Sequence, residues 1–278
     1  MTVSITRFTT RSVPQHLRRH GRFALAAFTQ AIGRDAQFRA QAWTTFFVGL
    51  VEVAVGLIPA LLVFAHTDSI NGWNVGLVVA VTGMFQIMTA ILGAFVLPNQ
   101  ARMTAYIRRG ELDLVLIRPI SAQWYAAFRW MRPSELWSAL AGLALVLVGL
   151  ARADVHPGGG DVLLGLVWFV AGLAMVTLVW MNLGYLAFWM ESADPITELM
   201  STLLTAGRYP LAFFPSAVRT VLMFIIPVGL ATTLPVAAYT GETDRRLALV
   251  TAAVLVVMAG LTRLHWRVAL RRYASASS

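Results

Sequence analysis

Long apolar runs alternate along this chain with short polar connections that carry most of its arginines. A bilayer crossing needs about 20 mostly apolar residues. Six runs answer to that description, at residues 43–64, 73–97, 136–151, 162–190, 211–238 and 247–264. The third is short and the fourth long, which a tilted or broken helix end accommodates. Ahead of the first run, residues 14–41 set Leu25, Phe28 and Ile32 near helical spacing with arginines at other positions. That is the pattern of an amphipathic helix lying along a membrane face. No small-residue cleavage site follows the first run, so it reads as a span and not as a cleaved leader. The pattern predicts an all-α polytopic membrane protein of about six spans. Residues 1–41 form a cytoplasmic amphipathic helix, 42–265 a single transmembrane domain with its largest soluble connection at 98–134, and 266–278 a cytoplasmic tail.

The arginines set the orientation. All 22 basic residues are Arg. Seven precede the first run (Arg7, Arg11, Arg18, Arg19, Arg22, Arg34, Arg39), and six lie between the second and third (Arg102, Arg108, Arg109, Arg118, Arg129, Arg132). Arg208 and Arg219 flank the entry to the fifth, and Arg263, Arg267, Arg271 and Arg272 end the chain. The alternate connections hold only Arg152, Arg245 and Arg246. This bias puts both chain ends in the cytoplasm, and it accounts for the net charge of +9 without nucleic acid. The arginines also lack the interleaved aromatics of a base-stacking platform.

Composition narrows the chemistry further. Charged residues make up 13% of the chain and hydrophobic ones 58%, with a mean hydropathy of +0.70. Soluble domains carry about a quarter charged residues, so a water-soluble globule is excluded. Helical spans point to the cytoplasmic (inner) membrane, since outer-membrane proteins are barrels. Without Lys the chain has neither a Walker A lysine nor a Schiff-base amine. Without Cys it has no thiol catalyst, disulfide or cysteine metal site. The five histidines make no ligand spacing. No catalytic group, metal site or bound cofactor of its own is expected.

A few polar residues fall inside the spans. Glu52 lies near the middle of the first, where a charge facing lipid costs several kcal/mol. It must face the bundle, a watery cavity or another subunit, as a cation-binding group, a proton relay or a structural partner. Gln86 and Asn182 lie in the second and fourth spans and are candidates for a substrate pathway or for interhelical glue. Glu191, Asp194 and Glu198 follow the fourth span as a solvated helix end. Pro210, Pro215, Pro227 and Pro235 break the fifth run, which is either a kinked helix or a bent, partly re-entrant one. Glycines recur seven apart in four spans (Gly49 and Gly56, Gly76 and Gly83, Gly142 and Gly149, Gly165 and Gly172). On one helix face they allow close packing.

The connection at 98–134 contains Arg108-Arg109-Gly110-Glu111-Leu112-Asp113-Leu114-Val115-Leu116-Ile117-Arg118-Pro119. Leu112, Val115 and Leu116 share one helix face and Pro119 stops the helix, giving either a docking helix for a soluble partner or a structured surface loop. This string resembles the cytoplasmic signature of a bacterial ABC-2 type permease family, in its viologen-exporter-like branch. Arg208-Tyr209-Pro210, Ile226-Pro227-Val228 and Pro235 are similar to later landmarks of that family. The resemblance implies the permease subunit of an ATP-driven exporter. It implies two permeases, identical or homologous, on a dimer of separate ATPase subunits that bind ATP and Mg. Arg108, Arg109, Gly110, Glu111, Leu112, Asp113, Arg118 and Pro119 would then match the ATPase-coupling element, and Glu52 would suit a hydrophobic organic cation. The competing expectation is an ion-coupled carrier or channel using Glu52.

Overall fold

The computed structural model describes residues 13–37, 39–190, 194–242 and 245–273. Arg7, Arg11 and Glu191 lie outside them. Helix α1 (Val13–Gln37) is the amphipathic lead, followed by α2 (Arg39–Phe64). A two-stranded hairpin, β1 (Ser69–Ile70) and β2 (Trp73–Asn74), pairs Ser69 with Asn74 and Ile70 with Trp73. Asn71 and Gly72 make its turn with φ of 51° and 83°, the left-handed values that a two-residue hairpin requires. The Asn-Gly pair is the sequence signal for such a turn.

Asn74 then caps α3 (Val75–Phe95), its side chain accepting from the Leu77 amide at 3.0 Å. Helix α3 is apolar all round, which suits a helix enclosed by others, and it is the central element of the bundle. The sequence breaks its regular geometry at Val96, and Pro98 starts α4 (Leu97–Arg108). Together α3 and α4 run 34 residues, roughly 50 Å of helix against a hydrocarbon core of about 30 Å. The connection read as residues 98–134 therefore begins as a helical stalk standing out of the membrane. We call this end of the bundle the loop face and the opposite end the hairpin face. Past the stalk come α5 (Leu112–Leu116) and α6 (Ala122–Phe128), and the chain re-enters at α7 (Trp137–Arg152).

The glycine spacing is used as packing. A β-carbon on Gly83 would lie 2.5 Å from the Gly142 carbonyl oxygen, and one on Gly149 would lie 2.5 Å from that of Gly76. Helices α3 and α7 thus touch backbone to backbone at two levels seven residues apart. Helix α8 (Gly159–Tyr185) returns to the loop face, with Gly172 against the backbone of Ala231.

The fifth apolar run departs from expectation. The chain crosses before that run, through α9 (Asp194–Leu204) and two 3-10 turns ending at Phe213. Arg208 meets Thr82 and Phe85 halfway along α3. Ala212 then accepts from Asn71 of the hairpin at 2.9 Å. Residues 216–239 form a V instead of a straight span. Helix α10 (Ser216–Thr220) continues through a π-helical turn to Ile225, and α11 (Val228–Tyr239) leaves at an angle of 103°. Val228 meets Gly207 and Tyr239 meets Gly165, near the start of α8, so both arms open toward the hairpin face. The expected span at 211–238 is re-entrant, with Pro227 at its apex. Arg208 and Arg219 therefore leave the cytoplasmic flank: Arg208 lies at mid-depth and Arg219 on α10. Helix α12 (Arg245–Arg272) makes the last crossing.

Candidate coupling and translocation sites

The stalk ends in a second core of its own. Met103 and Tyr106 of α4, Leu112 and Val115 of α5, Tyr125 and Ala126 of α6, Tyr185 of α8 and Trp266 of α12 are buried together. Two hydrogen bonds tie rings within this module. The Trp130 ring nitrogen donates to the Tyr106 hydroxyl at 2.7 Å, and Gln123 donates to the Tyr185 hydroxyl at 3.1 Å. Tyr185 lies 5.0 Å from Trp266, and Phe23 of α1 lies 5.2 Å from Tyr125, ring centre to ring centre. The last turns of two crossing helices are thereby packed against the helix at the tip.

Gly110 starts that tip. With φ of 68° it reverses the chain where a side chain would be strained. Helix α5 has five residues, too few to be stable alone, and it is held by burying Leu112 and Val115. The opposite side is open: Leu114 is 61% exposed and Ile117 80%. Leu116, expected with Leu112 and Val115, turns outward instead. Arg108, Arg109, Arg118 and Pro119 are exposed around the patch, and Glu111 pairs with Arg109 at 3.8 Å. Asp113 faces inward. It acts on Tyr273, whose hydroxyl pKa is raised by burial first and by the Asp113 charge second.

The pathway candidates separate. Asn182 is occupied between helices: its amide donates to the Leu178 carbonyl and to Thr262, both at 2.7 Å, and its oxygen lies 2.8 Å from His265 Nδ1. Gln86 is buried where α2, α3 and α7 meet, near Gly49. Glu52 is exposed on the outer side of α2. Its carboxylate and that of Asp35 lie close enough to Glu135 for their charges to be felt there. Glu198, Ser201 and Thr202 are exposed on α9, and Thr205 on the 3-10 turn that follows it, at spacings that share one helix face.

Sequence reasoning missed what joins these elements. Arg208 Nη1 donates to the Glu52 carbonyl at 3.1 Å, and its guanidinium lies 5.2 Å over the Phe85 ring. Tyr209 donates to the Gly56 carbonyl at 3.1 Å. Gly56 leaves the room, since a β-carbon there would collide with the Arg208 side chain. The signal was Arg208-Tyr209-Pro210 following a helix too short to span, but the apolar run beyond it drew the crossing to the wrong place. Asn99, fully buried, was missed for the same reason: nothing in its sequence neighbourhood names its distant partner Trp130.

Among known proteins, the family model for the ABC-2 family transporter protein matches residues 50–277. No curated protein and no solved structure gives a match.

Proposed function

Because this chain belongs to the ABC-2 transporter family, it is the membrane permease component of an ABC transporter, and we propose that it is an exporter subunit driven through α5 by separate ATPase subunits. The observation that carries this reading is the two-sidedness of α5. Leu112 and Val115 enter the module shared by α4, α6, α8 and α12, while Leu114 and Ile117 face out among arginines. An outward apolar knob with a cationic rim fits a groove with acidic edges on a soluble partner. ATP and Mg would bind in that partner. Its rearrangement would push α5, and the module would pass the displacement to α4 and to the ends of α8 and α12.

On this reading the loop face is cytoplasmic, as the arginine bias favours. A second permease, identical or homologous, would cover the face of α2 and α9, because Glu52 at mid-span needs water or a protein neighbour in place of lipid. The pathway would run between the two copies, past the hydroxyls of α9. Asp35, Glu52 and Glu135 form an acidic set that supports a hydrophobic organic cation as substrate. Family membership favours this ATP-driven reading over an ion-coupled carrier built on Glu52. The chain holds no cysteine, so Ile117→Cys supplies a unique thiol. Cross-linking from it into a co-purified ATP-binding subunit is the expected result, and a thiol that labels only lipid or water would count against docking at α5.

A further inference from the structure

A groove of about 760 Å³ opens between α1 and the α5–α6 segment, sharing Arg118 with the rim of the α5 patch. Arg22, Arg118 and Arg129 line its walls, Leu25 and Ala26 contribute apolar surface, and no carboxylate lines it. Among the described residues none of the three arginines has an ion-pair partner. Two of them converge on one phenol: Arg129 Nε donates to the Tyr125 hydroxyl at 3.2 Å, and the Arg118 guanidinium lies 4.8 Å over its ring. Arg129 Nη1 is buried with no acceptor. Behind it, Arg102, Arg129 and Arg34 lie 3.7, 4.8 and 5.3 Å from the Trp130 ring centre, in a neighbouring hollow that also holds Asp35 and Glu135. Three arginines that line one groove with no carboxylate among them call for an anion with several acceptor oxygens.

The level of the groove identifies the source of that anion. Leu25, 66% exposed, and Ile32 lie two turns apart on the outer edge of α1. Ile32 shares a hollow with Trp137 and Leu140, exposed residues at the start of α7. The apolar ridge of α1 is thus continuous with the outer surface of a membrane-crossing helix, at the depth where headgroups meet acyl chains. We infer that this groove binds the phosphate headgroup of an anionic phospholipid, with Arg22, Arg118 and Arg129 around the phosphate and an acyl chain along Leu25. A free phosphate would satisfy the arginines but would leave the ridge uncovered.

The site does not depend on the ATPase, and its test reads lipid instead of transport. The full chain is placed in nanodiscs of equal phosphatidylglycerol and phosphatidylcholine, and the lipid retained after release is measured by native mass spectrometry. Each arginine near an anionic surface contributes about fivefold. Wild type is expected to retain phosphatidylglycerol in preference, and Arg22→Gln with Arg129→Gln to lose most of that preference at unchanged helicity. Arg22→Lys with Arg129→Lys should keep part of it. Equal retention of both lipids by wild type, which needs no variant to interpret, would overturn the inference. So would a preference unchanged in the glutamine variant. Displacement of the lipid by millimolar inorganic phosphate would make this a site for a free anion and overturn it as well.

Discussion

Asn99 holds the backbone of Trp130 from both sides, its Nδ2 donating to the Trp130 carbonyl at 2.7 Å and its Oδ1 accepting from the Trp130 amide at 2.8 Å. The same Nδ2 also donates to the Phe95 carbonyl at 2.7 Å. One side chain therefore ties the return of the loop to the point where α3 passes into α4, and the neighbouring Arg132 amide adds a bond to the Ala94 carbonyl at 2.9 Å. The segment carrying α5 is thereby fastened to the stalk, and under the proposed function displacement at the tip would reach the stalk instead of being absorbed in the loop.

Asn99→Ala removes this tie and leaves the Trp130 amide and carbonyl unpaired, at about 1–3 kcal/mol for each group that stays buried. A lower Tm of the purified chain is expected. In the assembled transporter, ATP hydrolysis should persist while transport falls. Paired ATPase and vesicle-uptake assays check it, and transport retained at the wild-type ratio to hydrolysis would rule out a coupling role for the tie.

Gly83→Val should be among the most damaging single changes in the bundle. The added carbon would meet the Gly142 carbonyl at 2.5 Å and the Val146 amide at 2.7 Å, backbone atoms that cannot swing aside. Overpacking of this kind costs about 1–3 kcal/mol. Gly260→Ala, where an added β-carbon meets nothing within 4 Å, is the matched control and should leave yield and Tm unchanged. Thermal unfolding in detergent distinguishes the two.

Arg208 and Glu52 should come apart on mutation. The guanidinium bonds the Glu52 backbone carbonyl, so Glu52→Gln keeps the contact and should fold normally. Transport of an organic cation should nevertheless weaken, chiefly as a raised KM. Arg208→Ala removes the link between the α9 crossing and α2 and should lower Tm. Equal KM for wild type and Glu52→Gln would remove Glu52 from the pathway.

Helices whose apolar period is long and unbroken were legible in the sequence, α2, α3, α7 and α8 above all. The crossing at 194–213 was not, because α9 has only 11 residues and its exposed hydroxyls lower its apolar signal. The denser run beyond it took its place, although that run folds back at Pro227. The string at residues 108–119 was legible as a helix stopped by Pro119. Which face it buried was not, because its partners Tyr185 and Trp266 come from helices far along the chain. Leu116 was therefore grouped on one face with Leu112 and Val115, whereas the core holds only Leu112 and Val115. Glu52 lies within the apolar helix Trp43–Phe64, and the group that contacts its backbone, Arg208, had been counted at the membrane surface.

The central claim is that α5 is the docking element for a separate ATPase. Its most direct test is co-purification of the chain from its native membrane in mild detergent, comparing wild type with Leu114→Asp, Ile117→Asp. Both residues face outward, so the double variant should insert and fold as wild type does. Wild type is expected to bring down a distinct ATP-binding subunit with measurable turnover, and the variant to lose that subunit at equal yield. A wild-type chain recovered without any ATP-binding partner, or a variant that retains it in full, would contradict the account.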